Sequence, residues 1–183
     1  MKMNTNLIGI SGFARCGKDT AYESILSLTE DKDLNRLAFA DELKGECEEF
    51  LNNNIGISPF TENDAEKKII RPFLVTYGTH LRRLLDKECW IKKVNKKIRP
   101  GKKYVITDMR YLNEVEWVKS KGGKAIYIKR EGISAANQEE ALNDKDLTDS
   151  ADVIINVPTF KNNYRQKCQE IIKAQLTKHG ILS

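Results

Sequence analysis

The stretch GISGFARCGKDTAYESIL, Gly9 to Leu26, decides the fold. It takes over from the short apolar run Leu7 to Ile10, which reads as a buried strand, and continues into helical spacing from Gly17 to about Leu28. Between the two stands Gly12-x-x-x-x-Gly17-Lys18. Glycines in such a turn let successive backbone N–H groups point inward at an anion, and the helix amino terminus adds its dipole. In the context of strand, turn and helix, this spacing predicts a phosphate-binding loop, with Lys18 reaching the β- and γ-phosphates of a nucleotide. The usual loop carries Ser or Thr after the lysine as a magnesium ligand; here Asp19 takes that place and Thr20 follows it.

Outward from the loop, strands alternate with helices. Arg36 to Ala40 reads as a second strand ended by Asp41, and Glu42 to about Asn52 as a helix. A loop runs to Pro59, and Thr61-x-x-Asp64 resembles a capping box that opens another helix. Pro72 stands where a helix begins. Tyr77, Leu81, Leu84, Leu85, Ile91, Val94 and Ile98 then recur at threes and fours, which predicts one long amphipathic helix bent at Gly78. Tyr104 to Asp108 reads as a buried strand with an acid at its end, Val115 to Lys121 as a helix and Lys124 to Arg130 as a fourth strand. Residues 131 to 150 are polar and acidic without apolar periodicity, Asp152 to Val157 is a fifth strand, and Tyr164 to Leu176 a closing helix. The expectation is an α/β fold: a five-stranded parallel sheet, helices on both faces, ligands at the carboxyl edge.

Composition agrees with one globular domain: 183 residues, 40% apolar and 31% charged. The net charge of +5 suits an anionic partner, nucleotide or nucleic acid. Cys16, Cys47, Cys89 and Cys168 lie far apart, with only His80 and His179 besides, so neither a zinc site nor a disulfide framework is expected. The amino terminus has no signal-peptide layout and no stretch reaches the ~18 apolar residues of a membrane helix, so a soluble intracellular protein is expected.

A second carboxylate must hold the metal that accompanies a nucleotide, and Asp108 at the end of its strand is placed either for that or to cap the next helix. Neutralising a moving phosphoryl group needs basic side chains at loop ends. Arg110, Arg130 and the pair Arg82-Arg83 qualify, although Arg82 with Asp86 and Arg110 with Glu114 also have the spacing of simple helix ion pairs. The basic run Lys92 to Lys103 reads as the solvated face of the long helix. Trp90, Phe39, Tyr77 and Phe73 could stack on a base or fill the core.

The set Gly-Lys-Asp-Thr (17 to 20), Phe-Ala-Asp-x-Leu-Lys (39 to 44), Gly-Thr-x-x-Arg-Arg (78 to 83) with Trp90-Ile91, and Asp-x-Arg-x-x-x-Glu (108 to 114) resembles the deoxynucleoside monophosphate kinases of tailed bacteriophages. The resemblance runs from Leu7 to the last helix. It implies a three-layer P-loop kinase fold, a single domain over 1–183 with an acceptor-binding helical region at 41–100 and a lid at 131–150. The implied activity moves the γ-phosphate of ATP to a deoxynucleoside monophosphate with Mg²⁺ as cofactor. By the same resemblance Gly12, Arg15, Gly17, Lys18, Asp19 and Thr20 form the ATP-phosphate loop. Asp41, Lys44, Arg82, Arg83 and Trp90 meet the acceptor; Arg110 and Arg130 act with Lys18 and Asp108 in catalysis; Asp19 and Asp108 face the metal, directly or through water. It further implies a homodimer, no membrane and no nucleic-acid partner, and the host cytoplasm as location. Phosphomevalonate and dephospho-coenzyme A kinases share the loop and the general fold, and a nucleotide switch or nucleic-acid binder stands as the non-catalytic alternative.

Overall fold

Five parallel strands carry the loop at the centre of the molecule's sheet. The computed structural model describes residues 3–29, 34–160 and 162–183. The strands β1 (Leu7–Ser11), β2 (Leu34–Leu37), β3 (Lys103–Met109), β4 (Lys124–Arg130) and β5 (Val153–Val157) lie in the order β2-β3-β1-β4-β5. Every pairing is parallel. β1 is buried along its whole length, as a strand covered on both faces must be.

By contact, the chain divides into two compact units, Met1–Leu37 with Arg99–Ser183, and Ala38–Ile98. In the first, helices α1 (Lys18–Leu28) and α8 (Tyr164–Lys178) pack together on the sheet. Their Ile25, Ile172 and Leu176 join Ile8, Ile10, Val105, Ile126, Ile128 and Ile155 in one core. Alternate residues of a strand point to opposite faces, so Tyr127 is turned the other way from Ile126 and Ile128. Its hydroxyl donates to Asp144 of α7 (Gln138–Asp149), beside α6 (Leu112–Ser120). The sheet is therefore covered on both faces. The register of β1 on β3 slips between Gly9↔Ile106 and Ser11↔Met109, leaving one extra residue of β3 at Thr107–Asp108. A bulge of this kind re-aims the side chains beside it, here Asp108 at the carboxyl edge.

The second unit is helical: α2 (Phe39–Asn54), α3 (Asp64–Val75), a π-helical stretch at Thr76–Arg82, α4 (Arg83–Leu85) and α5 (Cys89–Asn95). Cys47, Leu51 and Ile70 form its core, with Leu43, Phe73 and Tyr77 packed against them. Phe50, Phe73 and Tyr77 stack in sequence, at 5.2 Å and 6.0 Å between ring centroids.

Several boundaries differ from the sequence reading. β2 ends at Leu37, and Phe39 and Ala40 begin α2, so Asp41 lies in the helix's first turn rather than capping it; Ala38 is the cap. Thr61 does not cap α3. That role falls to Asn63, whose side chain accepts from Ala65 N at 2.9 Å, while the Thr61 hydroxyl bonds Glu66. The long helix over 77–98 is absent. Pro72 lies inside α3 instead of opening a helix, and a π stretch follows α3 at Thr76–Arg82. The Gly78 carbonyl accepts both the Arg83 N–H and the Trp90 indole N–H, the latter at 3.3 Å. A side chain at Gly78 would meet Leu43 Cδ2 at 2.6 Å, so Leu43 would have to shift to admit one. Residues 131–150 are not irregular: α7 occupies most of them, and its apolar signal is missing because only Leu147 is buried. Among the described residues no helix is long and apolar enough to cross a membrane.

Candidate functional site

The loop leaves β1 at Gly12 with φ +134°, passes Arg15 at φ +65° and enters α1 through Gly17 at φ +106°. Left-handed conformations at these three positions turn the chain tightly at a helix amino terminus that has no side-chain cap. The Lys18 ammonium folds back over the loop and donates to the Gly12 and Phe13 carbonyls, each at 2.8 Å. Cys16 is buried beneath, and burial raises its thiol pKa. A helix amino terminus with an ammonium beside it is an arrangement that suits an anion.

Arg15, Gly17, Lys18, Asp19, Thr20 and Arg130 line one pocket, so six of the residues singled out in the sequence converge. Tyr164 completes its wall and was not foreseen. The Arg130 guanidinium stands 4.3 Å from the centre of the Tyr164 ring and donates to the Arg15 carbonyl at 3.4 Å. Burial first, and then a hydrogen bond with Cys168, pushes the Tyr164 phenol up to about 12, so it stays a neutral platform. Its only sequence signal was an aromatic residue at the start of the last helix.

A neighbouring pocket is lined by Gly12, Met109 and Arg110 on one side and by Glu139, Glu140 and Asp144 of α7 on the other. Glu140 accepts from the loop's Ala14 N–H at 3.3 Å and from Ala136 N–H at 3.0 Å. Tyr111 donates to Glu139 as Tyr127 does to Asp144, so three acids of α7 tie it to the loop, to the start of α6 and to β4. Asp108 is half-buried at the β3 bulge, one residue before Met109. It does not cap α6. There Glu114, fully buried, accepts the Arg110 and Tyr111 N–H groups at 2.6 and 3.2 Å.

In the helical unit the sequence-derived acceptor residues fall in two groups. Asp41 and Lys44 sit one turn apart on α2, with the Lys44 ammonium 5.5 Å from the centre of the Phe60 ring. Arg82 follows on the π stretch and Arg83 opens α4. Arg82 does not pair with Asp86. Its partner is Glu46, with Nε 2.7 Å from Oε1, while Asp86 holds Lys92 at 2.8 Å. Nor is the basic run a free solvated face, because Lys93 and Lys97 of the α5 region pair with Glu46 and Glu42 of α2. Trp90 cannot offer a face to a base. It is 2% exposed, and Arg82 and Lys93 lie over its ring at 5.7 and 5.9 Å.

Residues 23–165, about three quarters of the chain, match the family model described as deoxynucleotide monophosphate kinase. The chain belongs to that family. The match begins after Gly12 to Thr20. No curated protein sequence matches the chain. Among solved structures, a dephospho-CoA kinase from Campylobacter jejuni is 17% identical over 95% of this chain and 99% of its own, with a TM-score of 0.44. Shikimate kinase from Acinetobacter baumannii in complex with shikimate is 12% identical over 96% of each chain, with a TM-score of 0.48. As a member of its family the chain is a P-loop kinase, a phosphotransferase that acts on a small molecule and binds a nucleotide donor.

Proposed function

We propose that this kinase transfers the γ-phosphate of ATP to a deoxynucleoside 5′-monophosphate, yielding the diphosphate. The observation that carries the reading is the loop itself, with left-handed turns, an uncapped helix amino terminus and Lys18 held over it, in a chain whose family is named for that acceptor. Gly12, Arg15, Gly17, Lys18 and Thr20 hold the donor's phosphates. Arg110 and Arg130 neutralise charge on the moving group. Residues 131–150, with α7, serve as a lid that keeps water from the γ-phosphate. Asp41, Lys44, Arg82 and Arg83 take the acceptor, with the arginines on its phosphate. Trp90 is withdrawn from that set, because its buried ring supports Arg82 instead.

Magnesium bound with the nucleotide would neutralise phosphate charge. Asp19 and Asp108 supply the hard oxygen donors that this ion prefers, one or two carboxylates with phosphate and water completing its shell. Among the described residues no group of three or more acids, cysteines or histidines is gathered for a metal, and such a shell needs none. Asp19, in the first turn of α1, would otherwise repel a polyphosphate. Asp19→Asn is therefore expected to cut turnover at limiting Mg²⁺ about tenfold or more and to shift the Mg²⁺ requirement upward. Unchanged activity and Mg²⁺ dependence would remove Asp19 from the metal's shell.

The activity is tested by following ADP release with ATP and Mg²⁺ plus each common NMP and dNMP, with dephospho-CoA and shikimate as further acceptors. A dNMP should stimulate release well above the rate with ATP alone. A protein stimulated only by another acceptor would remain a kinase with a different substrate.

A further inference from the structure

We infer that Glu46 is a positioning residue that presents Arg82 to the acceptor's phosphate; the inference rests on the reading of Arg82 as an acceptor contact given above. Glu46 lies on α2, 36 residues before Arg82, and no motif marked it. Its carboxylate is the hub of a small half-buried cluster. Oε1 receives the Tyr77 hydroxyl at 2.5 Å and lies 2.7 Å from Arg82 Nε; Oε2 receives Lys93 Nζ at 2.5 Å and Arg82 Nη2 at 3.4 Å. Burial alone would raise the Glu46 pKa, but the bonds from Lys93 and Tyr77 and the charges of Lys93 and Arg82 together lower it, so it remains a carboxylate.

Charge and geometry both point beyond a structural ion pair. Two cations share one carboxylate, so the cluster keeps a positive surplus in a setting where the Arg82 and Glu46 side chains are 30% and 19% exposed. Arg82 is fixed on two sides, by the carboxylate along its Nε and Nη2 edge and by the buried Trp90 ring 5.7 Å from Cζ. Trp90 is itself locked by its bond to the Gly78 carbonyl. The buried Nε sits close to Oε1 yet lacks a well-aligned hydrogen bond, and Nη1 has no protein partner among the described residues. A guanidinium pinned along one edge with the other edge uncommitted is arranged to grip an oxyanion in a fork. Fixing it in advance removes the side-chain ordering that binding would otherwise cost.

The test measures kcat and the two KM values of the full chain with ATP and a dNMP that the wild type phosphorylates, for E46Q, R82A and the double variant. Glutamine keeps the shape and still accepts from Tyr77, but it lacks the charge that holds Arg82. E46Q should lower kcat/KM for the dNMP about tenfold, since small misplacements of a substrate-gripping group have effects of that order or larger. Its KM for ATP should stay within about twofold. The double variant should match R82A alone, because Glu46 acts through Arg82. Losses that multiply in the double variant, or a KM for ATP that rises in parallel with that for the dNMP, would overturn the inference. If R82A impairs the acceptor and E46Q does not, the role of Glu46 falls and that of Arg82 stands. If R82A itself leaves the dNMP kinetics unchanged, or if no dNMP is turned over, the underlying acceptor reading falls with it. Should E46Q prove too unstable to assay, E46D, which keeps the charge on a shorter stem, is expected to retain more dNMP kcat/KM than E46A; equal losses would count against positioning.

Discussion

Lys18→Ala should lower kcat about 10³-fold while the protein keeps its fold. Removal of one preorganised electrostatic contact to a developing charge commonly costs 10²–10³-fold, and Lys18 is the only side-chain cation within the loop's helix start. The same ammonium has a structural task, since it donates to the Gly12 and Phe13 carbonyls at 2.8 Å. Those carbonyls are part-buried and can be taken over by water, so the stability loss is about 1 kcal/mol, a fall in Tm of about 2–4 °C for a chain of this length. Thermal unfolding and steady-state kinetics on the same preparation separate the two effects. A variant keeping more than a tenth of wild-type turnover would show that the loop is not the site of transfer.

Gly12→Ala should fail by a different route. An added Cβ would lie 2.4 Å from the Ile128 carbonyl oxygen and 2.7 Å from Cys16 Sγ, on a residue at φ +134°. The sulfur could shift, but the carbonyl belongs to β4 and is held in the centre of the sheet. Strain in the backbone and overpacking add, each of order 1–3 kcal/mol. About 3 kcal/mol in all corresponds to a Tm lower by about 10 °C. ATP binding should be lost with it, because relief of the clash displaces the loop's first N–H groups. Gly122→Ala is the control. It too has positive φ, +71°, but nothing lies within 4 Å, so only the milder backbone cost of about 1 kcal/mol applies. Equal losses of stability in the two variants would show that close packing at Gly12 is not what holds the loop.

The sheet was legible because its strands announce themselves. β1 and β3 are buried on both faces and read as unbroken apolar runs, and β4 was bounded correctly at both ends by Gly123 and by the polar residues after Arg130. The loop was legible because glycine spacing, a lysine and the strand before it all constrain one turn. The helical unit was read less well. Pro72 looked like a helix start, yet its neighbours keep it inside α3, and the loosened turns beyond it end the periodicity that the leucines suggested. Leu84 and Leu85, taken for core positions, are 81% and 74% exposed. α7 escaped notice because acids that contact tyrosines and loop N–H groups hold it in place, and such contacts leave no apolar pattern. For the same reason the one partner that spacing could offer Arg82 was Asp86, its neighbour in sequence, when its partner is Glu46 on another helix. Local spacing reports pairs within one helix only.

The central claim is that phosphate passes from ATP to a deoxynucleoside monophosphate on this chain. The direct measurement is to incubate the protein with γ-labelled ATP, Mg²⁺ and each dNMP in turn and to identify the labelled product. Label in a deoxynucleoside diphosphate, lost in Lys18→Ala, is the expected result. Label found only in inorganic phosphate, at a rate no dNMP changes, would contradict it.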